Sequence, residues 1–490
     1  MRKVQLWHVA VGLLLAGTAA FTMQAPPAMA PVSLEPQALG TFLSQEVAGQ
    51  HLVGLSLAVM RDGRIVYAGG AGKASIDAGT PVTADTRFAI GSITKQFTST
   101  CILLLAEDGK LAVTDKVAKW FPQLTKAGEV TVLDLMNHVS GYPDYYPLDF
   151  VDRPMQKPIA VDDLINRFGT RPLDFPPGSR YSYSNTGFEI LGAIVSRASG
   201  ESYASFLDRR VLKPLGLTHT VFEPKPSRGP GFADGYVTWA LGPPELAVPE
   251  GPGWVSSAGA LYSTPTDLVT WDLALIDGKI LKPESFKLMT SPRKLTDGTM
   301  SNYGCGLAIG KRGDQPVLAH SGAVAGFYAQ NTMFPATKSA VVLLSNFDAY
   351  EAVDTVYARV LNSLVPPVQP AAKPAPAVAK KPPAESVPTI AGPPAAEAAR
   401  LLFLELQKGQ VARARLGDEY NAYLTDEKIR AASARLTPFG APVEVKLDSA
   451  NERGGMEVAR TTLVFAKGTL KGLMYRTPDG KVQQFFVQKD

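Results

Sequence analysis

The sequence predicts a mixed α/β protein in two globular units. The larger unit has one sheet built from both ends of its chain around a helical insertion, and the smaller is a separate α+β unit at the C-terminal end. Three observations carry this. Strand-like runs stand early, at Leu55 to Val59 and Arg64 to Ala68, and again late, at Tyr303 to Ile309, Asn331 to Phe334 and Ala340 to Ser345, with helix-like runs between. From Pro366 to Ala395 the composition shifts to Pro, Ala and scattered Lys, which neither forms a helix nor buries a core. Beyond it, two helix-like runs precede four strand-like ones. At 490 residues the chain is longer than one ordinary domain.

In chain order, Arg2 and Lys3 precede an apolar run from Val9 to Ala20, the pattern of an export signal. It is too short to span a bilayer comfortably. Cleavage is expected after Ala20 or Ala30, so residues 1–30 are assigned to the signal and the mature chain to the periplasm or the exterior. Residues 31–365 form the larger unit. Its first two strands are split by Arg61-Asp62-Gly63, a hairpin signal. Ser92 to Asp108 reads as a helix stopped by Gly109. Thr131 to His138 is a short helix, with Asp134 three residues after Thr131, and Gly187 to Ser199 is closed by Gly200. Ala340 to Ser345 is nearly all apolar, as a strand buried on both faces would be, and a helix from Tyr350 to Leu364 ends the unit. Residues 366–395 are an extended spacer. In residues 396–490, Ala396 to Gln407 is an amphipathic helix and Thr425 caps another. Strands follow at Pro442 to Ser449, Met456 to Phe465, Thr469 to Tyr475 and Lys481 to Gln488, with turns at Gly454-Gly455 and Pro478-Asp479-Gly480.

A formal charge of +4 without a dense basic run excludes nucleic acid as the expected partner. The two cysteines, Cys101 and Cys305, lie in a helical and a strand-like run and read as buried thiols rather than a disulfide. His8, His51 and His219 show no metal-ligand spacing, and no Gly-x-Ser-x-Gly elbow occurs.

Three segments carry chemistry. In Phe88-Ala89-Ile90-Gly91-Ser92-Ile93-Thr94-Lys95, a hydroxyl and an amine stand about one helical turn apart at the start of a helix. An amine kept neutral by its surroundings can take the proton that makes Ser92 a nucleophile. Ser291-Pro292-Arg293-Lys294 repeats the spacing but in a polar stretch, and reads as a surface loop. In Tyr181-Ser182-Tyr183-Ser184-Asn185, an extended backbone points Tyr183 and Asn185 the same way. A phenol beside a lysine ammonium is expected to have its pKa lowered and to act as base or relay; Asn185 can hold Lys95 or a substrate carbonyl. In Ala319-His320-Ser321-Gly322-Ala323, Gly322 lets a substrate backbone approach, and the N–H of Ala323 with that of Ser92 makes an oxyanion hole. The Gly- and Pro-rich stretch from Gly229 to Gly253 is expected to rim the site.

These three segments, in this order, resemble the serine β-lactamase and penicillin-binding-protein superfamily, in its class C β-lactamase-related branch of D-Ala-D-Ala carboxypeptidases, D-aminopeptidases and esterases. Leu133 to Gly141, Pro177-Gly178, Tyr183 to Gly187, Pro214 to Leu217 and Ala258-Gly259 with Ser263 share the likeness, which covers roughly residues 35 to 363. The resemblance implies a β-lactamase/transpeptidase-like α/β (α+β) fold: an antiparallel sheet flanked by helices plus a helical subdomain, with the site between them. It implies Ser92 as nucleophile, Lys95 and Tyr183 as the general base pair, Asn185 as a polar positioner, and His320-Ser321-Gly322 as the strand at the site edge. It makes His138 part of a structural turn. Dedicated class C β-lactamases carry Lys where this chain has His320, and the His-x-Gly form resembles the peptidases and esterases instead. The C-terminal unit loosely resembles a nuclear-transport-factor-2-like or cystatin-like roll, for which a binding or dimerisation role is expected.

The expected function is an exported serine hydrolase acting through an acyl-enzyme on small amides, D-amino-acid peptides or esters. That chemistry calls for neither a metal nor an organic cofactor, and the mature chain needs no membrane span. A true β-lactamase and a non-catalytic binding protein on the same scaffold are the alternatives.

Overall fold

Strands β1 (Gly54–Arg61) and β2 (Arg64–Gly72) form the hairpin that starts the larger sheet. The computed structural model describes residues 31–146, 148–223, 228–366 and 387–489. The expected export signal, residues 1–30, and most of the Pro/Ala-rich spacer lie outside the described residues. Short strands β3 (Phe88–Ala89), β4 (Val221–Phe222), β5 (Tyr236–Val237), β6 (Glu245–Leu246) and β7 (Leu261–Ser263) make two small sheets, β3-β7-β4 and β5-β6. The larger sheet is completed by β8 (Ala308–Arg312), β9 (Gln315–Val324), β10 (Phe327–Phe334) and β11 (Ser339–Ser345). Its order is β2-β1-β11-β10-β9-β8, antiparallel throughout. The last strand of the unit thus lies against the first, as the early and late runs imply.

Alternation sets the layers. Leu55, Leu57 and Val59 of β1 and Val341 and Leu343 of β11 pack with helix α1 (Pro36–Gly49) and the helix Tyr350–Leu364. Ala58, Met60, Ala340, Val342 and Leu344 face the other way, onto helix α2 (Thr94–Glu107) and the helix Pro265–Ile276. β11 is buried at every position. The helical subdomain includes α3 (Val132–Met136), α4 (Val161–Gly169) and α5 (Asn185–Ser199). Helix α3 starts in a capping box between Thr131 and Asp134, and α5 stops at Gly200, whose φ of 82° suits glycine.

Two expectations need correction. The run Tyr303 to Ile309 is not a strand until Ala308. Gly304 and Gly306 instead turn the backbone so tightly that a Cβ would meet the Met289 carbonyl at 2.1 Å and the Lys95 carbonyl at 2.6 Å, respectively. The C-terminal unit has three helices, not two: Ala395–Gln407, the short Asp418–Tyr423, and Asp426–Leu436 capped by Thr425. They pack on an antiparallel meander of β12 (Glu444–Arg453), β13 (Met456–Phe465), β14 (Gly468–Arg476) and β15 (Val482–Lys489). Cys101 and Cys305 are buried free thiols. Among the described residues no helix is long and apolar enough to cross a membrane.

Candidate active site

Ser92 sits in a single 3-10 turn, Gly91–Ile93, at the head of α2. Gly91 has φ +49°, and a Cβ there would strike the Ala323 nitrogen at 2.7 Å. The turn therefore lies directly against β9. One turn on, Lys95 is fully buried. Its Nζ donates to Ser92 Oγ (3.0 Å), Asn185 Oδ1 (2.8 Å) and the Ala258 carbonyl (2.8 Å). Tyr183 Oη donates to Ser92 Oγ at 2.7 Å. The hydroxyl, amine, phenol and amide singled out in the sequence thus meet.

Burial pulls the Lys95 amine down to about 7, with Asp144 and Glu189 opposing and Arg453 assisting. The partners then decide what a neutral amine does. It keeps two N–H bonds, and Asn185 Oδ1 and the Ala258 carbonyl can only accept. The lone pair is left facing Ser92 Oγ, the one partner able to give a proton. The Asn185 orientation is set on its other side, because Asn185 Nδ2 and its backbone N–H both donate to Asp144 Oδ1 at 3.0 Å. Asn185 occupies the first turn of α5 rather than an extended strand, yet still shares the direction of Tyr183.

The expectation for Tyr183 is corrected: burial outweighs nearby charge and holds the phenol well above its usual pKa. Tyr183 is therefore a neutral hydrogen-bond donor near pH 7. His138, with φ +58°, accepts the Ser184 N–H on Nδ1 (3.1 Å), and its ring lies 4.2 Å from that of Tyr183. It shapes the turn that presents the phenol.

On β9, Ser321 and Ala323 line a cavity of about 90 Å³ with Ser92, Tyr183 and Asn185. Gly322 is pressed on the Ser92 turn; a Cβ there would fall 1.9 Å from the Ile90 carbonyl oxygen. His320 reaches the wall but offers a substrate neither charge nor a free nitrogen. Nε2 lies 2.7 Å from Tyr303 Oη and Nδ1 lies 2.5 Å from the Ser321 carbonyl, and burial draws the ring down to about 3. Of the Gly229 to Gly253 stretch, Val237 lines the cavity, whereas Trp239 and Ala240 pack into the C-terminal core.

Sequence reasoning missed three residues here. Asp144 anchors Asn185. Glu189, fully buried, accepts from the Ser256 N–H (3.0 Å), Ser257 Oγ (3.1 Å) and the Ala258 N–H (3.3 Å), holding the loop whose carbonyl receives Lys95. A carboxylate one turn after Asn185 in an otherwise apolar helix was the available signal. Arg453, from the C-terminal hairpin, also lines the cavity, and nothing local marked it.

The family model described as Beta-lactamase matches residues 39–364. A penicillin-binding protein of Bacillus subtilis (strain 168) is 29% identical over 319 residues, covering 62% of this chain and 70% of that protein. The structure of D-amino acid amidase from Ochrobactrum anthropi SV3 complexed with D-phenylalanine aligns with a TM-score of 0.60 and 27% identity, over 67% of this chain and 98% of that one. The octameric penicillin-binding protein homologue from Pyrococcus abyssi has a TM-score of 0.59 at 21% identity over 92% of this chain and 99% of its own, a likeness of fold.

Proposed function

The chain belongs to the beta-lactamase family of serine hydrolases, and on that premise we propose that it is an exported enzyme whose Ser92 forms an acyl-enzyme with small amides, D-amino-acid peptides or esters. The neutral Lys95 amine takes the Ser92 proton as Oγ attacks the substrate carbonyl. The N–H groups of Ser92 and Ala323 receive the oxyanion. Lys95, through Tyr183, returns the proton to the leaving amine or alcohol as the bond to carbon breaks. Water then attacks the acyl-enzyme, giving its proton to the same base, which passes it to Ser92 Oγ as the bond to the acyl carbon breaks, freeing Ser92 and the acid.

One observation carries this: Lys95 is enclosed by two partners that only accept, so its lone pair is left for Ser92. A neutral, internally bonded His320 supplies no cation for a drug carboxylate, which favours amide or ester hydrolysis over β-lactam turnover. The likeness to a D-amino acid amidase favours D-configured amides. The test is fluorophosphonate labelling of wild type and Ser92→Ala, with a turnover screen of acyl esters, D-amino-acid amides, D-alanyl peptides and a chromogenic cephalosporin. Labelling abolished in S92A, with amide or ester turnover, is expected. Equal labelling of the two chains overturns the assignment, and fast cephalosporin turnover replaces it with a β-lactamase.

A further inference from the structure

The C-terminal unit does more than pack beside the catalytic unit. Its β12–β13 hairpin turns at Gly454-Gly455, both with positive φ, and delivers Arg453 to the cavity of Ser92. The guanidinium is nearly enclosed. Nη2 donates to the Tyr146 carbonyl (3.0 Å), and Nη1 donates to Asp149 Oδ1 and Tyr475 Oη (3.3 Å each). Asp149 is held twice more from the same unit: Gln484 Nε2 donates to its Oδ2, and its own N–H donates to Gln484 Oε1, both at 2.8 Å. Phe150 sits on the rings of Tyr420 and Tyr423, and Arg153 pairs with Glu419 at 2.9 Å.

Asp144 and Tyr145, just before this clamp, bind the residues that position Lys95. Asp144 fixes Asn185, and Tyr145 Oη donates to Glu189 Oε1 at 3.2 Å. One stretch of chain is therefore gripped by the C-terminal unit on one side and holds the partners of Lys95 on the other.

We propose that Arg453 is a positioning residue of this active site: by holding Tyr146 and Asp149 it fixes Asp144 and Asn185, and through Asn185 the amine of Lys95. This rests on the reading of Ser92 and Lys95 given above. Electrostatics agree with the geometry. The titratable groups facing Lys95 are Asp144 from the clamped stretch, Glu189 from α5, Tyr183 and His138 from the helical subdomain, His320 from β9, and Arg453. Asp144 and Glu189 favour the ammonium, the buried imidazoles are neutral, and among the described residues Arg453 alone supplies an opposing positive charge. Removing the guanidinium also uncovers Asp149. Both effects favour the ammonium and delay the neutral base.

The experiment follows the rate of fluorophosphonate labelling against pH for the full-length chain, in wild type, Arg453→Met, Arg453→Lys, Asp149→Asn and Ser92→Ala. R453M is expected to shift the midpoint alkaline by about half to one unit and to slow labelling near pH 7 by about three- to tenfold. R453K, which keeps the charge, should restore the midpoint. D149N, which leaves the guanidinium unopposed, should shift it to lower pH and gives the deciding measurement if R453M does not fold. An R453M midpoint equal to wild type overturns the proposal even if the rate falls, since that is loss of structure alone; with R453M unfolded, an unmoved D149N midpoint does the same. S92A reports separately: labelling of that variant at the wild-type rate removes the nucleophile assignment, not the role of Arg453.

Discussion

Replacing Gly322 by Ala tests the geometry on which the proposed oxyanion hole of Ser92 and Ala323 depends. The added methyl would lie 1.9 Å from the Ile90 carbonyl oxygen and 2.9 Å from both the Ile90 carbonyl carbon and the Ser92 nitrogen. The first contact is roughly 1.5 Å short of ordinary van der Waals approach, and all three atoms are backbone, so no side chain can swing aside. Strand β9 and the Ser92 turn must separate. Ala323, the next residue, then moves away from Ser92, and the two N–H groups no longer converge on one oxygen. Loss of one such donor costs about 10²–10³ in turnover, about 2.7–4 kcal/mol. Overpacking costs about 1–3 kcal/mol of stability. Ester hydrolysis and thermal melting of Gly322→Ala would show turnover falling about a hundredfold while KM changes much less. A folded G322A chain with turnover within about threefold of wild type would falsify the assignment of Ser92 and Ala323 as the hole.

Acylation should rise through about pH 7 and then level, because the reactive form of Lys95 is the neutral amine and burial brings its pKa there; a profile flat from about pH 5 to 9 contradicts that role. Glu189→Gln can keep its amide oxygen on the Ser256 and Ala258 N–H groups but puts an N–H₂ where Ser257 Oγ now donates, and it removes a charge that favours the Lys95 ammonium; it should cost about 1–3 kcal/mol in denaturant unfolding. Asp272, Asp348 and Asp354 are buried with pKa values pushed up to about 8, whereas the unfolded chain ionises them near 4. Their contribution to stability is whole below that lower value and is lost as pH rises through about 8, so unfolding midpoints should fall toward alkaline pH. Asp272→Asn should flatten the trend, and an unchanged slope in that variant rejects the assignment for Asp272.

Features set by neighbours in the chain were legible. The helix Tyr350–Leu364 and the strand Met456–Phe465 run between the residues that periodicity indicates. The one-turn spacing of Ser92 and Lys95 survives although the serine sits in a 3-10 turn before the α-helix begins. What escaped depends on residues far apart. Tyr303 to Ile309 has strand-like composition, but Gly304 and Gly306 close on the backbone of Met289 and Lys95. The helix Asp418–Tyr423 is too short to show a period. Tyr183 was expected to lose its proton more readily beside Lys95, and enclosure reversed the sign. Arg453 ends β12 in a unit beyond the spacer, and only the folded hairpin reveals where it points.

The place of β11 bears on how the chain is made. β1 lies beside β2 on one side and waits for β11 on the other. At ribosomal speeds of about 5–20 residues per second, the intervening stretch takes on the order of tens of seconds to emerge. Throughout that interval the apolar hairpin shows an unpaired backbone edge, the kind that invites pairing with a neighbouring nascent chain. A polypeptide with this topology needs an escort such as a holding chaperone until Ser345 has arrived and the gap between β1 and β10 is filled.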